Sequence, residues 1–324
     1  MSGVYIDGSG TTGNIVSGNY IGTDESGTAD LGNSERGVYI SDGPQNNTIG
    51  GDTEGERNVI SGNGETGVYI RGSGTMSNTV SGNHIGTDES GTADLGNTYY
   101  GVHISSGAQN NTVGGDTGGE RNVISGNNYD GVRIQHSDGN TILGNYIGIA
   151  ANGTSGLGNA WRGVYIADAQ ENTVGPDNVI AHNDDDGVGV SGGSINIIVQ
   201  NSIFSNTMGI DLMVGANEDI AAPVIITTTV GSVNVVGTAC AGCTVEVFEN
   251  GDNDGEGETY VGDTIATSSG AFTLTVSYLT LPYLTATAMD AISGTSEFSE
   301  VFTATVPLAP PVGPVYLPIV VKNN

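Results

Sequence analysis

NTIGGDTEGERNVISGNGETGVYI, residues 47–70, returns 64 positions later as NTVGGDTGGERNVISGNNYDGVRI, residues 111–134. Three anchors follow one another inside it: Asn-Thr-Ile/Val, Asn-Val-Ile and Gly-Val-x-Ile. Outward from this stretch, Gly-Val-x-Ile recurs at Gly3, Gly37, Gly67, Gly101, Gly131 and Gly163, with looser copies at Gly187 and Gly209. The spacings run 34, 30, 34, 30, 32, 24 and 22 residues. A period of roughly 20–50 residues marks stacked units, each burying its apolar face against the next. About seven coils fit before Asn206, and an eighth starts at Gly209.

The anchors point to strands. Each apolar segment is short, β-branched and alternating, so Val4 and Ile6 point one way and Tyr5 the other. Glycine, 54 of 324 residues, disfavours helices and suits a turn at every corner. Asparagine recurs in three series. One runs Asn14, Asn47, Asn78, Asn111, Asn140, Asn172, Asn196; another runs Asn19, Asn58, Asn83, Asn122, Asn145, Asn178, Asn201. Asn33, Asn63, Asn97, Asn127, Asn159 and Asn183 each stand four residues before a Gly-Val. Such residues can stack into hydrogen-bonded ladders that satisfy buried corners. The expected architecture is all-β: a parallel β-helix with strands of successive coils about 4.8 Å apart.

Insertions alternate between coils: GTDESGTADLGN at 22–33 and 86–97, a degraded GIAANGTSGLGN at 148–159, and GGDTEGER or GGDTGGER at 50–57 and 114–121. The pattern changes near residue 217. From there Val, Thr and Ile alternate in segments 224–230, 233–238, 244–248, 259–266, 271–276, 284–289 and 297–305, which predicts a β-sandwich. The expected domains are therefore 1–216, 217–306 and a proline-rich tail at 307–324. Cys240 and Cys243, the only cysteines, are too few for a zinc site and read as a short-loop disulfide, which suits an extracellular setting.

The chain holds 36 Asp plus Glu against 7 Lys plus Arg, a formal charge of −29. That surface repels nucleic acid and anionic membranes. No stretch reaches the roughly 20 apolar residues of a membrane-spanning helix. The chain shows no export signal and starts inside a repeat, so the expectation is that the natural protein continues upstream.

The strings NNTIGG, RNVISGN, GVYI and IGTDESGTADLGN resemble bacterial right-handed parallel β-helix repeat proteins of the pectin-lyase-like superfamily, over roughly residues 1–215. GTACAGCTVEVFENGDNDGEGETYVG, GAFTLTV and LTATAMDAISGTSEFS resemble bacterial Ig-like domains, and PLAPPVGPVYLPIVVKNN resembles surface-attachment tails. The resemblance implies a secreted or cell-surface protein. Its function ranges over lyases, hydrolases, adhesins and repeats without activity, because function lives in sites grafted on the fold.

In a solenoid, equivalent residues form lines. Aromatic and charged side chains gather beside the Gly-Val strands of the later coils: Tyr99, Tyr100, His103, Tyr129, Trp161, Arg162 and Tyr165, with Asp130, Arg133 and Asp184 to Asp186. One reading is surface decoration that stiffens the sheet. The other is a polysaccharide groove, in which sugar rings stack on aromatic faces and Arg and Asp meet hydroxyls. The leading expectation is a non-catalytic structural or adhesive module, with a glycan as partner and self-association as an option. The alternative is a lyase or hydrolase acting on an acidic glycan through Asp130, Arg133, Asp184 and Asp186. Asp130 and Asp186 lie two coils apart, about 9.6 Å by strand spacing, at the upper edge of the ~6.5–9.5 Å used by inverting hydrolases. Polygalacturonase-like relatives carry Asn-Thr-Asp, Asp-Asp, Gly-His-Gly and Arg-Ile-Lys in order. Here Arg133-Ile134-Gln135 precedes Asp184-Asp185, and Gly-His-Gly is missing. Calcium, which prefers carboxylate oxygens, has two candidate sites: Asp24, Asp30, Asp88 and Asp94 in the repeated loops, and Asp252, Asp254, Glu256 and Glu258 in an acidic turn.

Overall fold

The computed structural model describes residues 1–229 and 233–305. The tail 307–324, expected as an attachment signal, lies outside the described residues, as do residue 230 of the first expected sandwich strand and residue 306. Residues 4–212 wind through three parallel sheets of eight, seven and seven strands. The first sheet stacks the Gly-Val strands from Val4–Asp7 to Ile210–Leu212; the second stacks Ile15–Val16 to Ile197–Ile198; the third stacks Tyr20–Ile21 to Ser202–Phe204. This is a three-sheet parallel β-helix, with the right-handed sense that parallel crossovers take.

The alternation decides which side chains go in. Val38, Ile40, Val68, Ile70, Val102, Ile104, Val132 and Ile134 are fully buried and meet Ile49, Val80 and Val113 of the second sheet and Ile60, Ile85 and Ile124 of the third. Each such side chain stabilises the stack by about 2 kcal/mol through removal from water. The glycine before each strand is required by close approach. A Cβ on Gly101 would stand 2.5 Å from Ile124 Cγ2 and 2.6 Å from the Gly131 carbonyl.

The three asparagine series form ladders through the corners. Asn63 Nδ2 donates to Asn97 Oδ1 at 2.8 Å, and Asn97 Nδ2 to Asn127 Oδ1 at 2.9 Å. Most rungs add a backbone N–H that donates to the next coil's Oδ1, as Asn63 N does to Asn97 at 3.2 Å. Asn206, three residues before Gly209, extends the third ladder by one rung.

Beyond residue 223 the strands are antiparallel. Val224–Thr229, Val233–Thr238 and Ala271–Val276 form one sheet; Thr259–Ile265, Thr244–Asn250, Tyr283–Asp290 and Gly294–Thr295 form another, with Phe302–Thr303 also pairing to Tyr283–Asp290. The two sheets share a core of Val235, Phe272, Leu274, Val245, Val247, Leu284 and Ala286. Cys240 and Cys243 form a disulfide in the turn before Thr244. The single strand expected at 297–305 is replaced by two short pairs. Between them Ser296 and Ser299 turn their hydroxyls onto the Ala288 and Ala286 N–H groups, at 2.9 and 3.0 Å, in place of backbone carbonyls.

The antiparallel region closes the end of the helix. Glu256 accepts from Asn206 N and Nδ2 at 3.1 and 3.0 Å, ending the third ladder. Asn217 ends the first: its Oδ1 accepts from Asn196 N at 3.0 Å and its Nδ2 donates to Thr295 O at 2.9 Å. Gln200 N donates to Glu246 Oε2 at 3.1 Å, and Phe298 packs onto the helix core. Among the described residues no helix is long and apolar enough to cross a membrane.

Candidate functional site

Strand register places Tyr5, Tyr39, Tyr69, His103, Arg133, Tyr165, Gly189 and Asp211 in one outward line on the first sheet. Its first four rings stack, with centroids 5.1, 5.4 and 4.6 Å apart. Arg133 then takes a ring's place. Its guanidinium lies 4.8 Å from the Tyr165 ring centre and 5.3 Å from that of Tyr100, while Arg162 covers Tyr165 at 4.5 Å.

A second line runs beside the first, two residues before each glycine. Glu65 N donates to Glu35 O, Tyr99 N to Glu65 O, Tyr129 N to Tyr99 O, and Asp185 N to Trp161 O. Tyr99, Tyr129 and Trp161 therefore occupy three adjacent coils, with ring centroids 5.6 and 5.1 Å apart and acidic residues above and below. Tyr99 is 43% exposed and Trp161 44%, so their faces are available. Tyr100 leans inward against Tyr129 and His103.

The charges beneath are paired. Asp130, fully buried, accepts from Arg133 Nη1 at 3.1 Å and from the Arg162 backbone N–H at 3.4 Å. Arg162 Nε donates to Asp186 at 2.9 Å, and its Nη2 meets Asp185 at 3.2 Å. Burial pushes the Asp130 carboxyl above its ordinary range against the pull of Arg133, and burial raises Asp186 likewise, against Arg162. His103 is pushed down to about 3 by burial and then by Arg133, Arg71 and Arg36, so it is neutral at physiological pH. Its Nε2 is buried without a partner. Thus Asp130, Arg133, Arg162 and Asp186 come together, whereas Asp184 is exposed and makes no ion pair among the described residues. Sequence reasoning missed Glu297, which accepts from Leu212 N at 3.0 Å and raises the Asp211 carboxyl, after burial itself. Nothing in the sequence singled it out: it is the first residue of the last expected sandwich strand.

Six of the eight carboxylates considered for calcium accept backbone N–H groups. Asp24 Oδ1 accepts from Thr28 N and Ala29 N at 2.9 and 3.1 Å; Asp88 Oδ1 accepts from Thr92 N and Ala93 N at 2.9 and 3.0 Å. In the third loop, Asn152 Oδ1 accepts from the equivalent Thr154 and Ser155 N–H groups, both at 3.0 Å. A neutral amide thus does the same work. Asp94 accepts from Gly96 N at 2.8 Å, and Asp30 lies against Gly62. In the acidic turn, Glu256 faces Asn206, Asp254 accepts from Glu256 N, and Glu258 accepts from Gly251 N; Asp252, exposed, is raised by burial first and then by Asp254. Among the described residues the one close trio of metal-type ligands is Cys240, Cys243 and Asp290, and its two sulfurs are joined to each other.

No protein-family model matches the chain. No curated protein matches it either. Among solved structures it is similar to full-length tailspike protein 2 of an Escherichia coli O157:H7 bacteriophage, with a TM-score of 0.36 and 10% identity over 88% of this chain and 50% of that one. It is similar also to the enzymatically active domain of tailspike protein 2 of bacteriophage CBA120, with a TM-score of 0.32 and 11% identity over 94% of this chain and 61% of that one. The chain spans half to three fifths of these proteins, and likeness at this level carries no argument about what it does.

Proposed function

We propose that this chain is a non-catalytic, extracellular glycan-binding solenoid that holds a polysaccharide across the Tyr99, Tyr129 and Trp161 edge. The carrying observation is a run of three rings on adjacent coils, with exposed Tyr99 and Trp161 flanking a part-buried Tyr129. The apolar face of a sugar packs on such rings, and the charged groups beside them meet its hydroxyls. The antiparallel region, read as an Ig-like module, closes the helix and spaces it from whatever bears it.

Binding fits the charges better than cleavage. A hydrolase needs one carboxyl to give a proton and another free to act as base or nucleophile. Here Asp130 and Asp186 each face an arginine, and Arg162 stands between them. The raised Asp130 and Asp186 carboxyls are what favour the alternative, cleavage of an acidic glycan. New reducing ends or unsaturated uronate from a polysaccharide panel would establish it.

Trp161→Ala is expected to abolish retention on an immobilised-polysaccharide column that holds the natural protein, with an unchanged melting temperature. Equal retention of the two proteins would reject the edge as the binding surface.

A further inference from the structure

A second cleft opens where the third sheet meets the antiparallel region, away from the aromatic edge. Its volume is about 360 Å³, and its lining includes Arg121, Tyr146, Asp116, Asp177, Gln200 and Tyr260. Arg121 is held in place: its guanidinium lies 4.2 Å from the Tyr146 ring centre, and its Nε donates to Gly144 O at 3.0 Å. Its two Nη groups make no hydrogen bond to protein among the described residues. From the other wall comes Tyr260, whose hydroxyl donates to Asp263 at 2.7 Å and accepts from Gln200 Nε2 at 3.4 Å.

We propose that this cleft binds one uncharged sugar residue. The size suits a small ligand. The fixed Arg121 fork offers donors whose ordering cost is already met by the fold. Asp116 and Asp177 offer acceptors for hydroxyl protons, and Tyr146 and Tyr260 offer ring surface. Two carboxylates against one guanidinium disfavour an anionic sugar. A hydroxyl-rich neutral ligand uses both kinds of group. The earlier repeat differs here: Glu54 stands 64 residues before Gly118, and with Arg57, the counterpart of Arg121, it lines a smaller cleft of about 200 Å³.

That glycine supplies the test. Gly118 lines the cleft and a Cβ there meets nothing within 4 Å, so Gly118→Trp sets a large side chain at the cleft wall with no clash at its Cβ. The full chain, Trp161→Ala and Gly118→Trp are titrated calorimetrically with glucose, galactose, mannose, N-acetylglucosamine and galacturonate. The expected result is binding of at least one neutral sugar, retained in Trp161→Ala and weakened at least tenfold in Gly118→Trp. Retention in Trp161→Ala separates this site from the aromatic edge. The proposal is overturned if no neutral sugar binds, if galacturonate binds more tightly, or if Gly118→Trp binds as the natural protein does. Should Gly118→Trp melt early, Arg121→Gln replaces it, with the same tenfold loss expected and full retention refuting.

Discussion

Asn97 shows what a single rung of the stack does. Its Oδ1 accepts from Asn63 N and Nδ2, and its Nδ2 donates to Ile60 O and Asn127 Oδ1. The residue is fully buried. Asn97→Ala therefore strands donors on Asn63 and acceptors on neighbouring coils, each costing about 1–3 kcal/mol. A loss of about 3 kcal/mol or more is expected in chemical denaturation, and a loss under about 1 kcal/mol would show that water replaces the rung. These asparagines were legible from their period alone, because a ladder needs the same residue at every coil. Its last partner was not legible. Glu256 lies fifty residues beyond Asn206, in a different architecture, and reads in sequence as one more acid in an acidic turn.

At the scale of elements, the inserted loops are small locked units that also stack: Glu89 N donates to Gly27 O and Ala151 N to Gly91 O, both at 2.9 Å. The lock is an oxygen accepting two backbone N–H groups. Asp88→Ala should speed hydrogen exchange at Thr92 and Ala93 severalfold with or without calcium, while Asp88→Asn should keep them protected. A calcium-dependent difference between the natural protein and Asp88→Asn would show that the loop binds metal. The degraded third insertion already held this answer, but Asn152 sits two positions away from the aspartate it replaces, so position-by-position comparison hid it. The aromatic edge was legible for the opposite reason: coil register alone aligns Tyr99, Tyr129 and Trp161. The pairing of Arg162 with Asp185 and Asp186 was not, since side-chain direction is set by packing.

For the whole molecule, the junction makes stability depend on pH. Burial raises Glu256 from its ordinary 4.5 to about 8 and Glu246 to about 7. Between pH 4.5 and 8 the folded chain thus binds more protons at these two groups than the unfolded chain, and stability falls as pH rises through that window. The melting temperature should be several degrees higher at pH 5 than at pH 9. Surface repulsion in a chain of charge −29 adds to that slope, so the diagnostic is Glu256→Gln, whose slope should be distinctly shallower. Matching slopes would remove Glu256 as a source.

The ladders also have a heading. In all three, each Nδ2 donates one hydrogen to the Oδ1 of the coil that follows, and each Oδ1 accepts from the coil that precedes. The column is an arrow whose leading tip always carries an unspent donor, whatever the number of coils behind it. Glu256 and Asn217 meet two of those tips. Reach and terminus are therefore independent variables: 64 residues can be spliced in or out as a cassette, and the same stop still fits the tip.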